Sequence, residues 1–251
     1  MAAPRLLVVP AAGLGSRLGA AVPKLLVPVA GVPMIDRILD LYRDQVSHVV
    51  VVVNPPSAAE VRRHLEARRE RLRVDLIEQP APTGMLDAIL LAVASIEGAA
   101  GAWITWCDQV AVHPRTIERL AAHTAEEAAV PFVMPTVRRA HPYIHFARDH
   151  DGRITRVLHR REGDEMPEEG ESDMGLFAMS SSVFTQWLPR FARDVEVGRA
   201  TRERNFLPFI PWLARTHAIA TFPCEDPMEA VGVNTPEDLR LVEQYLAERS
   251  A

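Results

Sequence analysis

Short apolar runs alternate with stretches of helical periodicity over the first hundred residues. An apolar run of four to six residues bounded by Gly, Pro or Asn is typical of a buried strand, and apolar residues three and four apart are typical of a helix. The predicted strands are residues 6–9, 48–53, 74–77 and 102–106, and the predicted helices are 34–45, 58–71 and 83–96. This alternation predicts a largely parallel sheet with helices on both faces.

The second half of the chain is less regular. We predict strands at 130–135, 143–147, 154–158 and 175–179, and helices at 182–191, 206–214 and 236–248, the last with Thr235 as its N-cap. The acidic stretch 162–171 contains two glycines and a proline and predicts a loop. The charged stretch 193–203 is expected to be mobile. Without repeats or a low-complexity linker, residues 1–251 are predicted to form one domain.

Composition limits the partners more than the fold. The formal net charge is -5 and no block of like charge occurs, so we expect no nucleic-acid partner. The apolar run 6–12 is too short to span a bilayer, and the two cysteines form no CxxC pair. We therefore expect a cytoplasmic protein that does not associate with membranes. Self-association into a homo-oligomer is left open, and an anionic small substrate is compatible with the charge.

A Gly-containing loop follows the first predicted strand and carries two cations. The small residues Ala11, Ala12, Gly13, Gly15 and Ser16 let backbone N–H groups approach a polyphosphate. Arg17 offers a planar fork and Lys24 a compact charge for phosphate oxygens. G-x-G-x-x-G is incomplete here and G-x-x-x-x-G-K-[ST] is absent, which disfavours a dinucleotide site and a P-loop. The alternative is an ordinary βα turn with two surface cations.

Polar residues also follow the fourth predicted strand, at 107–109. Ligands of parallel sheets bind at the carboxyl ends of the strands. We therefore expect Asp108 and the loop 10–24 to meet in space although they are far apart in sequence.

Residues 11–35 resemble the signature of the nucleotide-sugar pyrophosphorylases, most closely the uridylyltransferase domain that acts on N-acetylglucosamine 1-phosphate. The resemblance implies a Rossmann-like nucleotide-diphospho-sugar transferase fold, with a mixed, mostly parallel sheet flanked by helices. It also implies that the loop holds an NTP and that Arg17 and Lys24 stabilise the transition state.

Residues 79–84, Q-P-A-P-T-G, resemble the base-binding element of the glucose-1-phosphate thymidylyltransferases. This resemblance implies that Gln79 and Gly84 contact a pyrimidine base, and Thr83 between them is also predicted to bind the NTP. A side-chain amide has both donors and acceptors and can read a base edge. The alternative is a proline-bounded turn with no ligand.

A magnesium site is implied by two further matches. The resemblance makes Asp108 a Mg²⁺ ligand, and residues 232–234, G-V-N, resemble a motif whose Asn binds the same ion, here Asn234. Oxygen ligands suit Mg²⁺. An acceptor phosphate would then attack the α-phosphorus of the NTP and release pyrophosphate.

The acceptor side departs from the family pattern. Tyr143-Ile144 stands where the family has Y-G, 159–161 (H-R-R) where it has E-x-K, and 173–175 (D-M-G) where it has N-T-G. The implied acceptor-binding residues are Tyr143, His159, Arg161, Asp173 and Gly175. Because the departures include a lost glycine and a lost carboxylate, we expect another sugar phosphate, a cyclitol phosphate or a phosphonate rather than a plain hexosamine 1-phosphate.

The sequence therefore predicts a Mg²⁺-dependent nucleotidyltransferase, with residues 1–110 binding the NTP and 111–251 binding the acceptor. One alternative is a cytidylyltransferase for a non-sugar phosphate or phosphonate, whose usual H-D-A-A-R-P element is not matched at 106–110. A molybdopterin-type transferase is disfavoured because its loop usually runs G-G-x-G-x-R-M. An inactive nucleotide-sensing module on the same fold is the alternative from another class.

Overall fold

The computed structural model describes residues 5–13, 15–68, 72–125 and 130–250. The strands are β1 (Arg5–Ala11), β2 (Pro28–Val29), β3 (Val32–Pro33), β4 (His48–Val53), β5 (Arg73–Glu78), β6 (Gly101–Thr105), β7 (Phe132–Ala140), β8 (Ile144–Arg148), β9 (Ile154–His159), β10 (Glu169–Asp173), β11 (Leu176–Ser180) and β12 (Ile219–Pro223). The α-helices are α1 (Met34–Tyr42), α2 (Pro55–Arg68), α3 (Met85–Leu91), α4 (Pro114–Ala125), α5 (Leu188–Asp194), α6 (Phe209–Leu213) and α7 (Pro236–Ser250).

An eight-stranded sheet runs through both halves of the chain, in the order β10-β7-β11-β6-β1-β4-β5 with β12 beside β7. β6, β1, β4 and β5 are parallel neighbours, and β12 is parallel to β7. β11 is antiparallel to β6 and β7, and β10 is antiparallel to β7. The mixed sheet with its parallel first half confirms the predicted fold class.

The apolar runs of β1 and β4 are buried on both faces, as central parallel strands require. Successive side chains of a strand point to opposite faces, so each strand contributes to two cores. One core holds Leu7 and Val51 with residues of α1, and the other holds Leu6 and Val50 with residues of α3, α5 and α6. Both faces of these two central strands are therefore covered, and polar residues follow the carboxyl ends of β4 and β6, at Asn54 and Asp108.

The predicted elements of the first half are confirmed with small changes. The helix predicted at 58–71 begins earlier, as α2, and residues 69–71 lie outside the described part of the chain. The helix predicted at 83–96 is divided into α3 and a short 3-10 turn at Val93–Ile96.

The loop predicted at 162–171 is partly wrong, because Glu169–Asp173 forms β10 and pairs with β7. Its inward positions are Gly170 and Ser172, which are buried, while its charged residues alternate with them. A strand whose buried face holds only small residues lacks the hydrophobic alternation that sequence analysis detects. The prediction also missed α4 and β12.

Residues 182–191, predicted as a helix, form a π-helical turn at Val183–Trp187 that continues into α5. The stretch 193–203, expected to be mobile, begins in α5 and then forms a hydrogen-bonded turn whose contacts are given below. No helix in the described residues is long and apolar enough to cross a bilayer.

Candidate active site

Four side chains from distant parts of the sequence meet at the carboxyl ends of β1 and β6. Lys24 Nζ donates hydrogen bonds to Asp108 Oδ2 at 2.7 Å and to Asn234 Oδ1 at 2.9 Å. Arg17 Nη2 donates to the same Asn234 oxygen at 3.2 Å. The residues proposed for catalysis and for the metal thus form one cluster. The strand-end argument predicts that Asp108 meets the loop with Arg17 and Lys24, and the matched motif adds Asn234, while the roles of all four stay predictions.

The position of Asn234 is fixed by its own neighbours. The Val233 N–H donates to the backbone oxygen of Asp108 at 3.1 Å, which joins this segment to the end of β6. A Cβ at Gly232 would lie 3.1 Å from Asp108 Cγ, so the close approach favours glycine. Asn234 Nδ2 donates to the Gly232 oxygen at 3.2 Å, which leaves Oδ1 to face Lys24.

Helix α7 begins at Pro236, two residues after Asn234. The Asp238 N–H donates to Thr235 Oγ1, and the Thr235 N–H donates to Asp238 Oδ2 at 2.8 Å. This reciprocal pair satisfies donors of the first turn and confirms Thr235 as the N-cap. The cap therefore holds Asn234 in place at a rigid helix start.

The charges of the cluster are partly shielded from water, since the side chains of Lys24 and Asp108 are each 14% exposed. Burial lowers the pKa of Lys24, while Cys107, where it is ionised, and the charge and hydrogen bond of Asp108 raise it, and the net shift is upward. Burial raises the pKa of the Cys107 thiol to about 12. Lys24 is therefore a cation and Cys107 a neutral thiol at neutral pH.

The loop after β1 is held in a tight turn. Gly15 has φ +60°, and a Cβ there would lie 3.1 Å from Lys24 Cβ. The Leu18 N–H donates to the Gly15 oxygen at 3.1 Å, which closes the 3-10 turn Ser16–Leu18. A Cβ at Gly13 would meet nothing within 4 Å, so the loop has open space on that side.

Asn54 is a loop-positioning residue that sequence analysis missed. Its Nδ2 donates to the oxygens of Ala12 and Gly13 at 3.2 and 3.3 Å, while its Oδ1 accepts from the Ser57 N–H at 3.0 Å in the first turn of α2. An Asn directly after a predicted strand was the available signal. One side chain thus connects the loop after β1 to the start of a helix.

The predicted base-binding turn has a defined geometry. Gln79 is 5% exposed, and its Nε2 donates to Thr83 Oγ1 and to the Gly84 oxygen, both at 3.2 Å. Gly84 has φ +122°, and a Cβ there would lie 2.5 Å from backbone atoms of Arg204. This position therefore requires glycine.

A cavity of about 110 Å³ lies between this turn and the loop after β1. Its lining includes Ala12, Gly13, Gln79 and Gly84, all predicted to bind NTP, and also Glu203, which sequence analysis missed. The two predicted NTP-binding segments therefore share one cavity.

The oxygens of Asp108 and Asn234 fit a magnesium site. Both lie within hydrogen-bonding distance of one cation, Lys24 Nζ, so they converge on a point where positive charge is favourable. Mg²⁺ in NTP enzymes is commonly held by one or two protein oxygens, with phosphate oxygens and waters completing the octahedron. The described residues hold no group of three or more His, Cys, Asp and Glu side chains suited to a metal, so two protein ligands are the number to consider.

The predicted acceptor residues form two separate groups. Tyr143 and His159 lie beside each other at the end of the β8–β9 hairpin, with ring centroids 5.1 Å apart, and burial lowers the pKa of His159. Arg161 is exposed in the turn that follows. Within the described parts of the chain, no hydrogen bond or ion pair joins these three to the Lys24 cluster.

Asp173 and Gly175 lie closer to the cluster, beside the end of β6. Asp173 Oδ2 accepts from the Gly175 N–H at 2.9 Å, and the Trp106 N–H donates to the Gly175 oxygen at 2.8 Å. Burial raises the pKa of Asp173. Gly175 has φ +71°, and a Cβ there would lie 2.3 Å from Trp106, so glycine is required.

Comparison with known proteins identifies the family of the chain. A family model described as the MobA-like NTP transferase domain matches residues 7–172. The "Bifunctional protein GlmU" of Trichlorobacter lovleyi is 28% identical over 245 residues, covering 95% of this chain and 51% of that protein. The protein of the same name from Geobacter metallireducens is 26% identical over 249 residues, covering 96% and 50%. The chain spans about half the length of these relatives.

Among solved structures, the crystal structure of HddC from Yersinia pseudotuberculosis superimposes with a TM-score of 0.67 at 18% identity, covering 98% of this chain and all of that one. At this identity the likeness shows the fold. The matched domain places the chain in the class of NTP transferases. The chain belongs to the MobA-like NTP transferase domain family.

Proposed function

We propose that this chain is a Mg²⁺-dependent enzyme that transfers the nucleotidyl group of a pyrimidine NTP to a phosphorylated small molecule, a sugar 1-phosphate or a sugar-like phosphate. The observation that carries the proposal is the cluster of Arg17, Lys24, Asp108 and Asn234 beside the cavity of the base-binding turn. The family match and the GlmU relatives support the same class.

In this proposal the first half of the domain binds the NTP. Backbone N–H groups of the loop after β1 contact the phosphates, and the turn 79–84 contacts the base. Arg17 and Lys24 stabilise charge on the phosphates as the transition state forms. Asp108 and Asn234 would hold Mg²⁺, which neutralises phosphate charge and orients the α-phosphate.

The second half binds the acceptor, with Asp173 and Gly175 near the reacting groups and Tyr143, His159 and Arg161 further out. A phosphate oxygen of the acceptor forms a bond to the α-phosphorus, and the bond from that phosphorus to the bridging oxygen breaks. Pyrophosphate leaves with the electron pair. Because the attacking oxygen is already anionic, no general base is needed, and catalysis rests on positioning and charge neutralisation.

The test is a matrix of four NTPs against phosphorylated acceptors, including sugar 1-phosphates, cyclitol phosphates and phosphonates, with pyrophosphate release measured in the presence and absence of Mg²⁺. The expected result is turnover with at least one pyrimidine NTP that disappears with chelator. Binding of nucleotide without turnover across the matrix would favour the inactive sensing module. A cytoplasmic location and self-association stay predictions.

A further inference from the structure

Glu203 lines the cavity proposed for the base. It reaches the cavity wall from a segment more than one hundred residues after the turn 79–84. No side-chain hydrogen bond or ion pair of Glu203 occurs among the residues that the structure describes. An ionised carboxylate only accepts hydrogen bonds, so this residue brings to the cavity lining an acceptor that has no partner among the described residues.

The amide of Gln79 is oriented by its own contacts. Its Nε2 lies 3.2 Å from the backbone oxygen of Gly84, which can only accept, so the nitrogen must face that atom. The same nitrogen donates to Thr83 Oγ1. Both donors of the amide are therefore engaged inside the protein, and Oε1 remains as a second acceptor on this wall.

The backbone next to Glu203 is fixed to the base-binding turn. The Arg204 N–H donates to the Thr83 oxygen at 2.8 Å, and the Leu86 N–H donates to the Arg204 oxygen at 3.1 Å. Arg204 Nε also donates to Asp87 Oδ1 at 2.8 Å. These contacts hold the position of Glu203 relative to Gln79.

The turn that precedes Glu203 is closed and anchored. The Gly198 N–H donates to the backbone oxygen of Glu203 at 2.8 Å, and the Arg202 N–H donates to the backbone oxygen of Gly198 at 3.0 Å. The carboxylate of Glu162 accepts from the Ala200 N–H at 2.9 Å and from Thr201 Oγ1 at 2.5 Å. Glu203 therefore lies on a built turn that can hold a carboxylate against a ligand.

Two acceptors on one wall favour a base edge with donors, and uracil and thymine offer there a single N3–H between two oxygens, whereas the amino group of cytosine offers two N–H donors. Cytosine carries an exocyclic amino group at the position where uracil and thymine carry an oxygen. An oxygen facing the Glu203 carboxylate would be repelled and both groups would lose their water, whereas an amino group would donate to it. Among pyrimidines, the wall composed of Gln79 and Glu203 therefore suits cytosine.

We propose that Glu203 is a specificity-determining residue that reads the exocyclic amino group of the base, so that the NTP of this enzyme is CTP. The inference rests on the proposed function, because it takes the cavity as the base site of an NTP. Recognition of the amino group by Glu203 would favour CTP over UTP and dTTP, a choice that the assignment of a pyrimidine base leaves open.

The experiment measures equilibrium dissociation constants of CTP, UTP, GTP and ATP with Mg²⁺ by calorimetry, so that no acceptor is needed. The wild type should bind CTP at least about tenfold more tightly than UTP, the ratio expected from one hydrogen bond to a charged group. Glu203→Gln introduces a donor and should bring the two nucleotides to within about threefold of each other. Glu196→Gln removes a charge from an exposed position of the same segment and should keep the wild-type ratio.

Equal binding of CTP and UTP by the wild type, or an unchanged ratio in Glu203→Gln, would overturn the inference and leave the proposed function intact. Tightest binding of GTP or ATP would overturn the assignment of cytosine. Binding of none of the four nucleotides would defeat the proposed function itself. Because the Glu203 side chain has no partner among the described residues, Glu203→Gln should melt within about 2 °C of the wild type, which separates altered selectivity from misfolding.

Discussion

Replacing Asp108 by Asn removes one negative charge and keeps the size of the side chain. In the folded protein this carboxylate accepts from Lys24 Nζ at 2.7 Å, and each side chain is 14% exposed. The pair lies between the exposed class, worth up to about 1 kcal/mol, and the fully buried class, where loss of one partner costs about 3–5 kcal/mol. Because an amide oxygen and Asn234 Oδ1 would remain near Lys24, we expect a loss of about 1–2 kcal/mol in the free energy of unfolding.

The expected effect of Asp108→Asn on function is much larger. If Asp108 holds Mg²⁺ against the phosphates, its loss removes transition-state stabilisation comparable to that of one oxyanion donor, a decrease of about 10²–10³-fold in kcat. It should also remove the increase in NTP affinity that Mg²⁺ gives the wild type. Glu225→Gln, which removes an exposed carboxylate paired with Arg119, is the matched control.

The assays are pyrophosphate release, nucleotide titration with and without Mg²⁺, and thermal melting. For a chain of this size, the expected stability loss lowers Tm by a few degrees. A folded Asp108→Asn protein that turns over at the wild-type rate, or whose NTP affinity still rises with Mg²⁺, would remove Asp108 from the metal site. A protein that fails to fold would show instead that the Lys24–Asp108 pair contributes well over about 2 kcal/mol to stability.

Three further predictions follow from single contacts. Asn54→Asp keeps the oxygen that caps α2 but loses the donor to the loop after β1, so it should raise KM for NTP severalfold with Tm nearly unchanged. Asn54→Ala loses the cap as well, and its free energy of unfolding should fall by about 1 kcal/mol. Gly175→Ala should reduce stability by about 3 kcal/mol or more in urea unfolding, because its Cβ would overlap Trp106 and φ is positive. Hydrogen bonds from Thr201 and Ala200 lower the pKa of Glu162 from 4.5 to about 2. The contribution of this carboxylate to stability should therefore be complete above pH 4.5 and disappear as the pH falls towards 2. A difference in the free energy of unfolding between wild type and Glu162→Gln that grows at low pH would contradict this assignment.

The parallel half of the sheet is predictable because its strands are buried on both faces. β4 consists of His48 followed by five valines, and its predicted and observed bounds agree. β10 is not predictable in this way, because Gly170 and Ser172 fill its buried positions. Gly170 is buried because β8 passes close to it, and a Cβ at this position would lie only 2.5 Å from the His145 side chain. Hydrophobic side chains of β10 itself do not cause this burial.

The same limit applies to the site. Lys24, Asp108 and Asn234 are predictable as neighbours because strand ends and a matched motif indicate them. Asn54 and Glu203 are not, because their roles depend on backbone atoms and a cavity contributed by distant parts of the chain. Such roles can be identified only from the tertiary structure.

The hydrogen bond from Val233 to Asp108 has a consequence for the order of assembly. It joins a segment that lies beyond residues 7–172, the span matched by the family model, to a strand end near the middle of the chain. Contacts this far apart in sequence form late, since a long loop must close before they can stabilise the fold. A ribosome-bound chain would therefore complete β1, β4 and β6 well before it acquires the Asn234 oxygen. If Asn234 holds Mg²⁺ as proposed, Mg²⁺-dependent nucleotide binding would report the final step of folding.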